Sequence, residues 1–294
     1  MNYSPVAIFC YNRPEKLNNL VNSLKQSKES KETILYFFVD IPKDGRNITT
    51  ENILNFIDLI DGFKEIKVIV RNENFGLAKN ILNGIDFVFQ NNDTIICLED
   101  DLVVSDNFLN YMNNSLSIYK EEKKVWHING WTYPQIRIFK SKVVIGRLMN
   151  SWGWATWSDR WSNHTNRSKN LISSNNKKIR RRFNFFGLSN WEQQLIDNDR
   201  GKINSWAIFW YQTIFLNNGF TVYPTRSHVF NDGMDGSGTN SGITKLFNVK
   251  LSKSESKNFQ QIIKSEFINT FFTIFFYVRF KFYKKIRYVI KKIK

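Results

Sequence analysis

Thr94-Ile95-Ile96-Cys97-Leu98-Glu99-Asp100-Asp101-Leu102 is the stretch that decides the fold. Residues 94–98 are a short apolar run with the length and composition of a fully buried strand, and the run ends in three consecutive carboxylates. Three adjacent acids repel one another unless positive charge lies among them. A hard divalent cation supplies that charge well, because such ions take oxygen ligands and share them with substrate phosphates. The alternative is an acidic surface turn leading into the next helix.

The residues upstream bear on that choice. Val6 to Cys10 is an apolar strand-like run, and Asn12-Arg13-Pro14-Glu15 has the form of a helix start with Asn12 as N-cap. Leu17, Leu20, Val21 and Leu24 then recur at helical spacing. A second strand is expected from Ile34 to Val39, ending at Asp40, and a helix marked by Ile53, Phe56, Ile57 and Ile60 follows it. A third strand is expected from Ile66 to Val70, then a polar loop, Arg71 to Gly76, then a helix carrying Leu77, Ile81, Leu82, Ile85, Val88 and Phe89. Beyond the acidic trio, Phe108, Leu109, Met112 and Leu116 mark another helix, and Val125 to Asn129 a fifth strand.

Strands alternating with helices imply a mostly parallel sheet with helices on both faces. Ligands of such sheets bind beyond the carboxyl ends of the strands. Tyr11, Arg13, Asp40, Arg71, Asn74 and the trio all fall just past strand ends, so the topology gathers them on one edge and favours the cation over the surface turn. The first strand-to-helix turn, Cys10 to Pro14, contains no glycine, which removes the dinucleotide fingerprint. No P-loop and no G-x-S-x-G elbow occurs. What remains is a nucleotide held by side chains, with its diphosphate reached through a metal.

From about Lys140 the composition changes. Ser151 to Trp161 carries Trp152, Trp154, Trp157 and Trp161. These rings suit either core packing around a glycine turn or a sugar site, where the apolar faces of sugars lie on aromatic rings. Residues 163–182 are polar and basic, and a solvated charged face accounts for them better than RNA binding, since no RNP-like pattern is present. Trp206 to Leu216 is an apolar helix. The glycine-rich stretch Asn231 to Asn240 is a surface loop or a lid that orders over a ligand. His228 is expected to be structural.

The chain has 294 residues, 42% of them hydrophobic and 16% aromatic, which places it among globular proteins. Cys10 and Cys97 lie in apolar runs and are expected as buried free thiols of a reducing compartment, and the absence of a Cys/His cluster argues against structural zinc. No secretory signal is expected at Met1 to Pro5, and no run is long enough to span a bilayer. The formal charge of +16 points to a polyanionic partner. Phe267 to Val278 is strongly apolar, and basic residues then alternate with aromatic and aliphatic ones to Lys294, a pattern suited to a helix lying on an anionic membrane. The expected division is a domain over residues 1–250, in halves 1–130 and 131–250, and a basic aromatic tail over 251–294.

The Val6–Asn12 strand and turn, Asp40, Asn74-Phe75-Gly76-Leu77-Ala78 and Leu98-Glu99-Asp100-Asp101-Leu102 together resemble glycosyltransferases of the GT-A fold, of family 2-like type. The resemblance extends to bacterial relatives of the N-acetylglucosaminyltransferase I family, which carry segments similar to Gly153-Trp154-Ala155-Thr156-Trp157, Ser205-Trp206-Ala207-Ile208 and Asp235-Gly236-Ser237-Gly238-Thr239. It covers most of residues 5–240 and excludes the tail. The fold it implies is α/β: a GT-A, Rossmann-like sheet, nucleotide-binding in its first half and acceptor-binding in its second. The activity implied is inverting transfer from a nucleotide-diphospho-sugar with Mn2+ or Mg2+, to a glycan or lipid-linked acceptor, by a cytoplasmic enzyme of surface-polysaccharide synthesis that lies peripherally on the inner face of the membrane and binds no nucleic acid.

By the same resemblance Asp101 binds the metal. Glu99 and Asp100 contact ribose, metal-bound water or donor sugar, and Asp40 bonds the base. Tyr11, Arg13 and Asn74 lie near the nucleotide, and Trp152, Trp154 and Trp206 near the acceptor sugar. The family's catalytic aspartate falls at Asn204 here, which is no base, and leaves Asp235 and Glu192 as candidates. A sugar nucleotidyltransferase is a competing reading, weakened by the glycine-free first loop. A non-catalytic RNA- or membrane-binding module is another, kept open by Asn204.

Overall fold

The computed structural model describes residues 3–133, 143–168, 176–234, 247–253, 262–263, 266, 270–279 and 281–282. Its first half alternates as the hydrophobic pattern requires: β1 (Val6–Cys10), α1 (Pro14–Lys25), β2 (Ile34–Val39), α2 (Ile48–Asp58), β3 (Glu65–Val70), α3 (Gly76–Phe89) and β4 (Thr94–Glu99). Then come β5 (Leu102–Val104), α4 (Phe108–Ile118) and β6 (Val125–Asn129). The second half contributes β7 (Val143–Gly146), β8 (Trp154–Trp157), α5 (Ser158–Trp161), α6 (Lys177–Phe183), α7 (Trp191–Asp199), α8 (Ala207–Leu216), β9 (Phe220–Pro224), β10 (Val229–Asn231) and β11 (Ile262–Ile263). A last helix, α9, spans 270–279.

β1 and β4 are apolar along their length because helices cover both faces of the sheet. On one side α1 buries Leu17, Leu20, Val21 and Leu24; on the other α3 buries Ala78, Ile81, Ile85 and Val88. Gly84 on α3 lets the helix lie against the sheet, since a Cβ there would sit 2.6 Å from the Phe9 ring. The N-cap of α1 is Arg13, one residue later than expected; it makes no side-chain cap bond, and Pro14 presets the first turn.

The nine-stranded sheet runs β11-β7-β9-β6-β8-β4-β1-β2-β3. The four strands of the first half pair in parallel. β8 runs antiparallel between β4 and β6, with Ala155 opposite both Ile96 and Ile128, and β7 is antiparallel to β9. Its Trp154 and Trp157 are 1% and 2% exposed, so the tryptophan-dense stretch is a central strand. β5 and β10 form a separate antiparallel ribbon that places Asn231 opposite Leu102.

Described residues on the two sides of the boundary expected at residue 250 are in contact. Ser252 N donates to Ser227 O at 2.8 Å, β11 pairs with β7, Arg147 Nε donates to Glu266 Oε1 at 2.7 Å, and Phe276 on α9 is 2% exposed. The described residues past 250 are thus tied to residues 131–250 by backbone pairing and aromatic packing. Residues 283–294, where most of the basic tail lies, are outside the described residues.

Candidate active site at the carboxyl edge of the sheet

Parallel pairing brings the ends of β1, β2, β3 and β4 to one edge. Asp40 N donates to Cys10 O (2.9 Å), Arg71 N to Val39 O (2.9 Å), and Asp100 N to Phe9 O (3.2 Å), so each strand's ladder continues into its functional loop. Asp100 then accepts from Tyr11 N at 3.2 Å, which fixes the turn after β1. The guanidinium of Arg13, left uncommitted by the cap, donates to Asp101 Oδ2 at 2.7 Å and lies 3.9 Å from Asp100 Oδ1. Tyr11 holds its ring at the surface, 39% exposed.

Asp40 is buried, and its Oδ1 accepts from the Ile41 and Phe75 backbones at 3.0 and 2.8 Å. Asn74 Nδ2 donates to Ile41 O at 2.5 Å. These bonds lock the loop after β2 to the loop before α3. Arg71 supports the same wall: it donates to Asn80 and stacks on Phe38 and Phe75 at 5.2 and 4.7 Å.

The acidic trio carries more negative charge than Arg13 offsets. Burial, and then repulsion by Asp101 and Asp100, push the Glu99 carboxyl up to about 8. Burial and Asp101 push Asp100 up to about 7 against the pull of Arg13 and the Tyr11 amide. Clustered carboxylate oxygens short of positive charge fit a hard divalent cation. Among the described residues no three His, Cys, Asp or Glu side chains form a complete cage. The donor set therefore fits an ion held by one or two carboxylates, with its other positions left to phosphate and water. Cys10 and Cys97 are buried and their thiols are pushed up by burial, which leaves them inert.

Two residues at this site were not singled out from sequence. Asp232, just past β10, donates its N–H to Asp101 O at 2.8 Å, and its carboxylate accepts from Lys16 Nζ at 2.8 Å. Lys16 projects from the first turn of α1, beside Arg13. Gly233 follows, packed so closely that a Cβ there would lie 2.1 Å from Asp101 Oδ2. Asp101 and Asp232 are joined only through the β5–β10 pairing, and strands of three residues leave little trace in a hydrophobic pattern.

The acceptor candidates divide. Trp152 is partly exposed, and it meets Trp131 and Phe247 edge-on at 5.1 and 5.5 Å. Trp154 and Trp206, expected as sugar platforms, are core residues: they stack on each other at 5.3 Å, His127 covers Trp154 at 5.1 Å, and both are buried. The cause is β8, whose central position closes both faces. Glu192 is buried on α7, paired with Arg180 Nε at 2.5 Å and with Asn184 Nδ2 at 3.3 Å. Its partners thus belong to the helical layer of α6 and α7, not to the strand edge. Asn204 is exposed in the turn before α8. Asp235 lies outside the described residues. His228, as expected, is structural: its Nδ1 bonds Ser105 Oγ at 2.7 Å and its ring stacks on Tyr111.

Residues 6–119 match the model of glycosyl transferase family 2. The matched segment runs from β1 through α4 and so includes Arg13, Asp40 and the acidic trio. Among solved structures, the chain is similar to S. aureus TarS, at 13% identity and a TM-score of 0.47 over 79% of this chain and 37% of that one. It is similar also to GalNAc-T7 with UDP, GalNAc and Mn2+ (13%, 0.47, 77% and 43%). The mannosyltransferase PcManGT from Pyrobaculum calidifontis in complex with GDP-Man and Mn2+ is a third (9%, 0.40, 55% and 46%). The chain thus spans less than half the length of each of these three. No curated protein matches its sequence.

Proposed function

We propose that the protein is a metal-dependent inverting glycosyltransferase that moves a sugar from a nucleotide-diphospho-sugar to a glycan or lipid-linked acceptor in surface-polysaccharide synthesis, at the inner face of a membrane. The observation that carries this reading is the charge arrangement at the end of β4: Glu99, Asp100 and Asp101 on the shared strand edge, with Arg13 paired to them, inside the segment that matches the family model.

The loops clamped by Asp40 and Asn74 form the wall for base and ribose, with the exposed Tyr11 ring beside them. Asp101, with Asp100 behind it, would hold Mn2+ or Mg2+, and Arg13 would lie beside the donor's phosphate oxygens. A divalent cation bound there stabilises the negative charge that develops on the leaving diphosphate. The acceptor lies against Trp152. Asp235 takes the proton from its hydroxyl, the oxygen bonds the anomeric carbon from the face opposite the phosphate, and the nucleoside diphosphate leaves with the electron pair of the broken C–O bond.

The test is donor hydrolysis by the full chain with Mn2+, across UDP- and GDP-sugars, with nucleoside diphosphate release as the readout. One donor should be hydrolysed slowly, and Asp101→Ala should abolish release while thermal unfolding stays cooperative. No metal-dependent binding or release with any donor, or equal release by the variant at saturating Mn2+, overturns the reading.

A further inference from the structure

Helix α9 has two unlike sides. Inward, Phe276 packs on Tyr133 at 4.9 Å and Phe247 at 5.6 Å, and Tyr277 on Phe185 at 5.4 Å. Outward, Phe271, Phe275, Val278 and the helical Phe282 just beyond are 58%, 55%, 51% and 68% exposed. Their spacing of four, three and four residues puts them on one stripe. Scattered exposed apolar residues are ordinary, but four in line on one helix mark a contact surface.

The stripe has a basic neighbour. Lys281 Nζ donates to Gly187 O at 3.1 Å, which fastens the end of this helix to the turn after α6. Along α6, Lys177, Lys178, Arg181 and Arg182 are exposed and only Phe183 is buried. The turn carries Phe185 and Phe186 at φ +47 and +59, a left-handed pair without glycine, and leaves Phe186 46% exposed. Arg182, Phe186 and Thr270 line one pocket, so turn and helix form a continuous surface; Glu266, the acid in that pocket, is already paired with Arg147.

We infer that this composite face, the outer stripe of α9 with the basic α6 and its turn, docks on an anionic lipid bilayer: the phenylalanines enter the acyl boundary, and the cations of α6 lie among the headgroup phosphates. A row of phenylalanines flanked by cations complements anionic lipid in both its chemistries. A second copy would bring two such basic faces together, and a nucleic acid offers no hydrocarbon for the stripe. The inference takes its partner from the membrane placement proposed above and owes nothing to the transfer chemistry. It locates the contact on the folded domain and not on the tail alone.

The test is flotation of the full chain with vesicles of phosphatidylcholine alone or mixed with phosphatidylglycerol, with binding of UDP and Mn2+ measured in parallel. The full chain should float with the anionic vesicles only. Lys177→Gln with Arg181→Gln should weaken partition roughly 25-fold, about fivefold per charge removed. Phe271→Ser with Phe275→Ser should weaken it by more than about tenfold. Both should keep UDP–Mn2+ binding and the parent's thermal midpoint; should the double serine variant not fold, Phe282→Ser alone takes its place. A chain ending at Phe282 should retain most of its partition. If that truncation abolishes flotation while the serine and glutamine variants float as the parent does, the contact lies in residues 283–294 and the inference fails. It fails equally if the serine variants change only the sedimentation coefficient, which makes the stripe a contact between copies. Loss of UDP–Mn2+ binding with flotation intact would instead count against the transferase reading alone.

Discussion

Replacing Gly233 by alanine tests the architecture of the site with a single methyl group. The new Cβ would fall 2.1 Å from Asp101 Oδ2, 2.8 Å from Cγ and 3.1 Å from Cβ. Non-bonded carbon and oxygen need roughly 3.4 Å, so about 1.3 Å must be found. The carboxylate is not free to yield it: Arg13 holds Oδ2 at 2.7 Å and the Asp232 N–H holds the Asp101 carbonyl at 2.8 Å. Either the carboxylate rotates off Arg13 or the segment after β10 lifts from β5. Loss of a charge-assisted bond at a part-exposed site costs about 1–2 kcal/mol, so the variant should fold and melt a few degrees lower. Binding should suffer more, since displacing a supporting group around a metal ligand typically costs about 10–100-fold in affinity. Isothermal titration of UDP in saturating Mn2+ measures this. Gly187→Ala is the control: its φ of +83 imposes backbone strain, but a Cβ there meets nothing within 4 Å. It should lower the melting temperature and leave UDP–Mn2+ binding unchanged. Parental affinity in Gly233→Ala would refute the role given to Asp101 at this contact.

The catalytic base provides a second comparison. Asp235→Asn should cut kcat by about 10²–10⁴-fold with little change in donor affinity. Glu192→Gln should leave kcat near the parent's and lower stability by about 1 kcal/mol through its pair with Arg180, read as a shifted urea midpoint; the reverse pattern in kcat would make Glu192 the base. A third expectation concerns pH. Burial holds His127 and His228 neutral, each pushed down to about 3, and His127 uses both ring nitrogens, with Trp210 on Nδ1 and Asn129 on Nε2. The unfolded chain protonates these rings below about pH 6.5 and the fold does not, so each histidine favours unfolding as pH drops, by about 2 kcal/mol at pH 5, while Glu99 and Asp100, pushed up to about 8 and 7 in the fold, act in the opposite sense. An NMR titration of the two rings separates the contributions: imidazolium signals from His127 or His228 in the folded protein at pH 5 would overturn this expectation.

Much of the first half was legible because each element there has a periodicity of its own. β1, β2, β4, β6, α1 and α4 appear where the apolar spacing put them, and parallel pairing then gathered Arg13, Asp40 and the trio without further information. The N-cap was misplaced by one residue because Pro14, not an Asn12 side chain, sets the start of α1. The second half was harder for a definite reason. A strand buried on both faces shows no alternation, so Trp154 to Trp157 could not be told from a ligand platform until β4 and β6 were placed on either side of it. Asp232 was hidden by sequence distance, since its place beside Asp101 depends on a three-residue pairing across more than a hundred residues. The outward stripe of α9 was visible as apolar content, but which of its rings face the core depends on Tyr133, Phe185 and Phe247, brought in from elsewhere in the chain.

The insertion of β8 between β4 and β6 also has a consequence for biosynthesis. As the chain leaves the ribosome, β1 to β4 emerge together, with Asp100 and Asp101 directly behind them. Until Trp154 to Trp157 follow, β4 presents one side of its ladder unpaired, and that side is flanked by Ile95, Ile96 and Cys97. An apolar strand with a bare edge invites pairing with the wrong partner. About 55 residues separate β4 from β8, which at translation rates of about 5–20 residues per second leaves the edge open for roughly 3–11 seconds. The first half is therefore expected to aggregate when made alone: a fragment ending near residue 130 should be insoluble, whereas a fragment extending through α5 has its central strand in place.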